Sequence, residues 1–192
     1  CVALCPAKAI AFPEKECGEW YLSDTRFGPF VHAQLYPGQE NSGRLVTLLK
    51  QQARELAKRQ GLDLVICDGS PGVGCPVISS LSGANLAVAV VEPTPSGRHD
   101  FERVAALCDH FRIPVAVLIN KADLNHEEVQ AITRLADDRG QTVVGALPFD
   151  PAVTEAMIRR KALTETDSPL ASTLSAIWGR IRELAYAPRK RG

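Results

Sequence analysis

In the run D-L-V-I-C-D-G-S-P-G, residues 63–72, Asp63 opens and Asp68 closes a hydrophobic stretch, and Gly69, Pro71, Gly72 and Gly74 follow. A carboxylate at the tip of a buried strand can order the water shell of a nucleotide-bound Mg2+, since that ion keeps its waters and takes few protein ligands. Glycines directly behind it let the backbone approach a γ-phosphate, because no Cβ stands in the way. Asp68 and Gly72 are therefore the catalytic candidates, with Asp68, Gly69, Pro71 and Gly72 placed for the phosphates and Asp68 for the metal through water. The same residues also suit an ordinary strand-to-helix turn capped by aspartate.

Two further runs have the same character. I-N-K-A-D ends a hydrophobic stretch with Asn120, Lys121 and Asp123, and L-P-F-D ends the next with Pro148 and Asp150. An asparagine amide offers both a donor and an acceptor to a purine edge, and a lysine stem can lie across the base while its ammonium stays solvated. The backbone at Pro148 and Asp150 is placed to close over the base from the other side. At the start of the chain, C-V-A-L-C-P fits the last two cysteines of the iron–sulfur run C-x2-C-x2-C-x3-C-P, in which Cys1 and Cys5 serve different clusters. Cys75 stands beside Pro76 where a helix begins, Cys67 and Cys108 fall on apolar faces as core residues, and Cys17 has no assigned role.

These runs need elements to hold them. From residue 30 onward, short strand-like runs alternate with longer helical ones, the pattern of a mostly parallel sheet covered by helices. Strands are expected over 30–35, 62–67, 86–91, 115–119 and 142–147, and helices over 43–59, 100–110, 127–138, 153–161 and 170–186. Ser42 is placed to cap the first helix, and Gly140 follows the third where a left-handed stop is wanted. Ligands of such sheets bind beyond the carboxyl ends of the strands, where the three runs lie. Residues 1–27, rich in Cys and Pro, read as a separate remnant, 28–187 as the main domain and 188–192 as a basic tail.

Composition narrows the function. Across 192 residues, 22 basic side chains balance 22 acidic ones, which removes any general attraction to nucleic acid or an anionic membrane. Aromatic residues are too scattered for a base-stacking surface. No apolar run is long enough to span a bilayer. The six cysteines sit singly within strand and helix patterns, which suits a reducing cytoplasm.

The runs G-E-W-Y, G-P-F-V-H-A-Q-L, E-N-S-G-R-L-V, D-G-S-P-G-V-G-C-P-V-I, E-P-T-P-S-G-R-H-D and I-N-K-A-D-L-N resemble the MinD-type P-loop ATPases that contain an inserted ferredoxin domain, a group related to the nitrogenase iron protein, ParA and Mrp. The resemblance implies a P-loop NTPase fold with ATP and Mg2+ as ligands, Asp68 as the Walker B acid, Asn120 as the base reader and Glu92 near the nucleotide. It also implies 4Fe-4S clusters at Cys1 and Cys5, a nucleotide-driven homodimer and a redox or iron–sulfur partner protein. Cys75 has the offset from Asp68 of a cluster-bridging cysteine in the nitrogenase iron protein, but the second cysteine such a cluster needs is not evident. Glu92 and Thr94 line the site or its dimer face, and His99 can carry a proton, as histidine titrates near neutrality. The alternative is that the S-G-R-H-D run is capping chemistry for the helix that follows.

The departure is that no G-K-[ST] phosphate loop occurs in these residues. The expectation is an N-terminally truncated piece, with its first strand, P-loop and most of the ferredoxin insert missing, and inactive by itself. Two alternatives stand beside an ATPase: a GTPase, since N-K-A-D also fits N-K-x-D, and an iron–sulfur carrier with a vestigial nucleotide site.

Overall fold

A computed structural model describes residues 2–11, 15–40 and 43–188, in two units, 1–68 and 69–192. In the first unit, β1 (Gly18–Thr25) and β2 (Gly28–Leu35) form an antiparallel hairpin. Gly28, at φ 120°, turns the chain, and the Thr25 hydroxyl donates to the Gly28 carbonyl while accepting from the Phe27 amide. Period-two alternation puts Trp20, Leu22, Val31 and Ala33 on one face and Tyr21, Phe30 and His32 on the other. On that second face the His32 ring stacks between Tyr21 and Phe30, at centroid distances of 5.3 and 4.8 Å. The hairpin turn coincides with the sequence boundary drawn after residue 27, so residues on its two sides pair with each other.

Helix α1 (Gly43–Gln60) packs on β2 through the apolar side of its periodic pattern and buries Ala57. Gly61, at φ 66°, ends it, and the Leu62 amide reaches back to the Ala57 carbonyl at 2.9 Å, the bond of a left-handed helix stop. The anticipated cap at Ser42 lies outside the described residues.

Two sequence expectations are corrected here. Residues 30–35 belong to the antiparallel hairpin and not to the parallel sheet. Residues 62–67, expected as a strand, join no sheet among the described residues, and Leu62, Val65 and Ile66 are exposed. Apolar alternation is a preference for a pleated, half-buried surface, and it becomes a strand only where a neighbouring backbone takes up the amides and carbonyls. Cys67 is exposed with that run instead of lying in a core.

The second unit carries the parallel sheet, in the order β3 (Ala87–Val91), β4 (Val115–Asn120), β5 (Thr142–Leu147). Between them lie α3 (Pro95–His110) and α4 (His126–Asp138), and α2 (Cys75–Leu81) precedes β3. After β5 come α5 (Pro151–Ile158) and α6 (Pro169–Tyr186). On one face Val91, Val115, Val117 and Ile119 pack with Phe101, Ala105 and Cys108 of α3 and Ile132 and Ala136 of α4. On the other, Ala116, Leu118 and Val144 meet Leu170, Ile177 and Ile181 of α6. The result is three layers, with β4 buried on both sides.

Helix starts follow from local chemistry. Thr94, Asn125, Asp150 and Ser168 each accept a bond from a first-turn amide, and Pro95, Pro151 and Pro169 occupy first-turn positions where no amide hydrogen is needed. Gly140, at φ 65°, follows α4 as anticipated. In β5 a register shift leaves Val144 as an extra residue, and beside it Gly145 lets α6 close in. A Cβ on Gly145 would stand 2.6 Å from Ile177 Cγ1.

Gly145→Ala is therefore expected to destabilise the fold by about 1–3 kcal/mol, read as a lower urea midpoint, because Ile177 is itself buried and has little room to yield. A second expectation concerns Cys108, whose thiol is pushed by burial from 9.0 up to about 11. Between those values the unfolded chain binds fewer protons than the folded one, so this group makes stability fall as pH rises from 9.0 to about 11. Unfolding free energies across that interval should decline less steeply in Cys108→Ala.

Candidate functional site

The carboxyl ends of β3, β4 and β5 form one rim. Val91 pairs with Ile119 and Asn120 with Leu147, so Glu92, Asn120 and Pro148 stand at neighbouring positions just where the strands finish. Asn120 is still part of β4 and half-buried; Pro148 is exposed. Lys121 takes φ 55°, the left-handed region, which swings the chain off the strand. Its ammonium pairs with the Glu92 carboxylate at 2.5 Å, linking the tips of β3 and β4.

The tips of β4 and β5 are linked by backbone and side chain together. The Ala122 amide donates to the Leu147 carbonyl at 2.9 Å, and the Phe149 amide donates to Asp123 Oδ1 at 2.6 Å. A carboxylate bonded to a backbone amide is a charge-assisted contact and fixes both loops. Asp150 accepts from the Ala152 amide at 2.8 Å, so its carboxylate caps α5. Behind the rim, Arg98 of α3 meets Glu128 of α4 at 2.8 Å, a contact that raises the guanidinium further above its usual range.

Thr94 begins α3 by accepting from the Gly97 amide, while His99 and Asp100 lie exposed inside the helix. Gly97 is required there, since a Cβ would fall 2.3 Å from the Glu92 carbonyl oxygen.

The structure thus brings together Glu92, Asn120, Lys121, Asp123, Pro148 and Asp150. Asp68 ends the first unit and is exposed there; Gly69, Pro71 and Gly72 open the second, where the 69–74 loop, with Gly72 at φ 88°, leads into α2. Sequence reasoning placed the tips but missed their cross-links, the Lys121–Glu92 pair and the Asp123–Phe149 bond. Opposite charges at the ends of adjacent strands were the only available signal for the first.

Cys1 lies outside the described residues, Cys5 is half-buried in a turn, and Cys17 and Cys75 are exposed. Among the described residues, no group of three or more His, Cys, Asp or Glu side chains is placed to hold a metal ion. A 4Fe-4S cluster, which takes four thiolates, does not fit them. No helix among them is long and apolar enough to cross a membrane.

An open parallel sheet with helices on both faces and polar loops at its carboxyl rim defines a class of α/β proteins that bind ligands at that rim. Within it the chain has a MinD-like fold. It superposes on the MinD cell division protein of Aquifex aeolicus with a TM-score of 0.59 at 20% identity, covering 76% of this chain and 64% of that one. It superposes on the cell division ATPase MinD of Pyrococcus furiosus with a TM-score of 0.60 at 17% identity, covering 74% and 59%. At these identities the likeness is one of fold. No family model matches the chain. Among curated sequences, it is 26% identical over 170 residues to the uncharacterised protein MJ0578 of Methanocaldococcus jannaschii, covering 88% of this chain and 56% of that protein. It is 24% identical over 112 residues to MJ0579 of the same organism, covering 58% and 40%. The chain thus spans about half the length of the curated relatives it matches.

The Asp123 latch makes a local prediction. Asp123→Ala leaves the Phe149 amide without its acceptor, so protection of that amide from hydrogen exchange should fall at least about tenfold. Protection of amides within β4 should remain.

Proposed function

We propose that this chain forms the base-binding part of an ATP-dependent switch of the MinD type. One observation carries the reading: three successive parallel strands deliver Glu92, Asn120–Asp123 and Pro148–Asp150 to one rim, cross-tied by their own side chains. In this reading the Asn120 amide addresses the polar edge of the adenine with its donor and acceptor, and the Lys121 stem covers one face. The backbone at Pro148 and Phe149 closes the other. Asp68 orders water on Mg2+, and the glycine loop beginning at Gly69 follows the state of the γ-phosphate.

Asp123 favours adenine over guanine. Guanine recognition through N-K-x-D needs the aspartate turned toward the base, whereas here Oδ1 accepts from the Phe149 amide and the carboxylate ties the loop after β4 to the loop after β5. The 192 residues contain no G-K-[ST] loop, so hydrolysis requires phosphate-binding amides and a lysine from another segment. In a protein that supplies them, nucleotide binding drives homodimerisation and is coupled to iron–sulfur redox or cluster handling with a partner protein. The C-V-A-L-C-P run, with Cys1 and Cys5 as cluster ligands, supports the second half of that proposal. By itself the chain lacks the remaining cysteines of the run, and anaerobic incubation with iron and sulfide should produce no cluster absorbance in the visible range.

Titration of the chain with trinitrophenyl-ATP tests the base site. ATP is expected to displace the probe at least as well as GTP, and Asn120→Ala to weaken binding by about tenfold, the effect of one or two lost hydrogen bonds to the base. Displacement far stronger by GTP, or an unchanged affinity in Asn120→Ala, would contradict it.

A further inference from the structure

Helix α5 carries apolar side chains on both of its faces. Ala156 is 3% exposed on the inward face, where the helix meets the short turn Leu163–Glu165, yet Val153, Met157 and Ile158 are 39%, 70% and 77% exposed. Positions 153 and 157 are one turn apart and 158 is next to 157, so the three side chains share one outward patch. Thr154 and Glu155 are the only polar residues among the eight of this helix. A helix apolar nearly all round is one that something covers, and a contiguous exposed apolar patch marks an interaction surface.

The charges at its two ends say what covers it. Beyond the carboxyl end come Arg159, Arg160 and Lys161, all exposed. At the amino end stand the carboxylate of Asp150, which caps the helix, and that of Asp123, held to the adjoining Phe149 amide at 2.6 Å. The patch therefore runs from acid through apolar to base over about 12 Å, the length of eight helical residues. A surface of that polarity complements itself when turned end for end, which is the condition for an isologous two-fold contact. An anionic membrane, by contrast, would repel the acidic end while attracting the basic one. We propose that α5 docks antiparallel on the α5 of a second copy of this chain, about a two-fold axis through the middle of the patch. Val153 then lies against the partner's Ile158, the two Met157 side chains meet near the axis, and Lys161 faces the partner's Asp150. Three apolar side chains fall well short of the roughly 800 Å² per partner of stable interfaces, so the contact is weak by itself. It rests on the homodimer proposed above, whose surface it names, but it needs no nucleotide, and failure of the trinitrophenyl-ATP titration leaves it standing.

The test is sedimentation velocity of the full chain without nucleotide, across a range of concentrations and at low and high salt. A reversible monomer–dimer equilibrium is expected, with a dissociation constant on the order of 100 µM that weakens as salt is added. Met157→Asp sets two carboxylates near the axis, and Lys161→Glu faces the partner's Asp150 with a like charge. Each should weaken the dimer at least about tenfold. Both alter exposed residues, so their urea midpoints should match that of the parent chain and show that folding is intact. Flotation with phosphatidylglycerol vesicles forms a further arm, in which no binding is expected. A chain that stays monomeric throughout, one that associates without limit, or one that binds the vesicles but not itself, would overturn the proposal. So would a dimer that either variant leaves unchanged, and in that case the homodimer stands on another surface and only this contact is lost.

Discussion

Burial of β4 on both faces and along both edges is the constraint from which the second unit follows. Val115 to Ile119 are all buried, and the strand is hydrogen-bonded to β3 on one side and β5 on the other. A strand so enclosed must be apolar throughout, and its backbone must pair with both neighbours or strand its polar groups away from water. Once β4 is fixed, the adjoining registers are fixed with it. The residues that emerge at its two ends then have assigned neighbours: Glu92 and Pro148 beside Asn120 at one end, and the turns before β4 and β5 at the other.

The rim that results is tied together by its own side chains. An exposed ion pair such as Lys121–Glu92 contributes little to stability in water, but it restricts where a long lysine stem can lie. The bond from the Phe149 amide to Asp123 does the same for the loop that follows β5. Such ties lower the conformational cost of binding a planar group between loops, because less remains to be ordered when the ligand arrives. The two ends of the sheet differ in kind. At the carboxyl rim Lys121 and Asp123 are engaged with neighbouring loops, whereas at the amino end neither atom of the buried Gln141 amide has a partner among the described residues.

Much of this was legible in the residues. The all-apolar run of β4 and the short, mostly apolar run of β5 declared themselves, and residues 142–147 were placed as they occur. The helix over 127–138 was legible from its apolar periodicity and from Gly140 after it. The failures have a common physical source. Residues 62–67 show strand patterning, but pairing is a property of two backbones, and one sequence segment cannot reveal whether its neighbour is there. In the same way β1 was passed over because its exposed faces mix Trp20, Tyr21 and Leu22 with polar residues, which blurs the alternation. Asp123 and Asp150 look alike as acidic residues at strand tips. Only geometry distinguishes a latch between loops from a helix cap.

The account rests on a purine lying against the carboxyl ends of β4 and β5. Photolabelling with 8-azido-ATP, followed by peptide mapping, tests this directly and tolerates weak affinity. The account requires ATP-protected label within residues 120–123 and 148–150. Protected label confined to the amino ends of the strands, or label that excess ATP does not suppress, would contradict it.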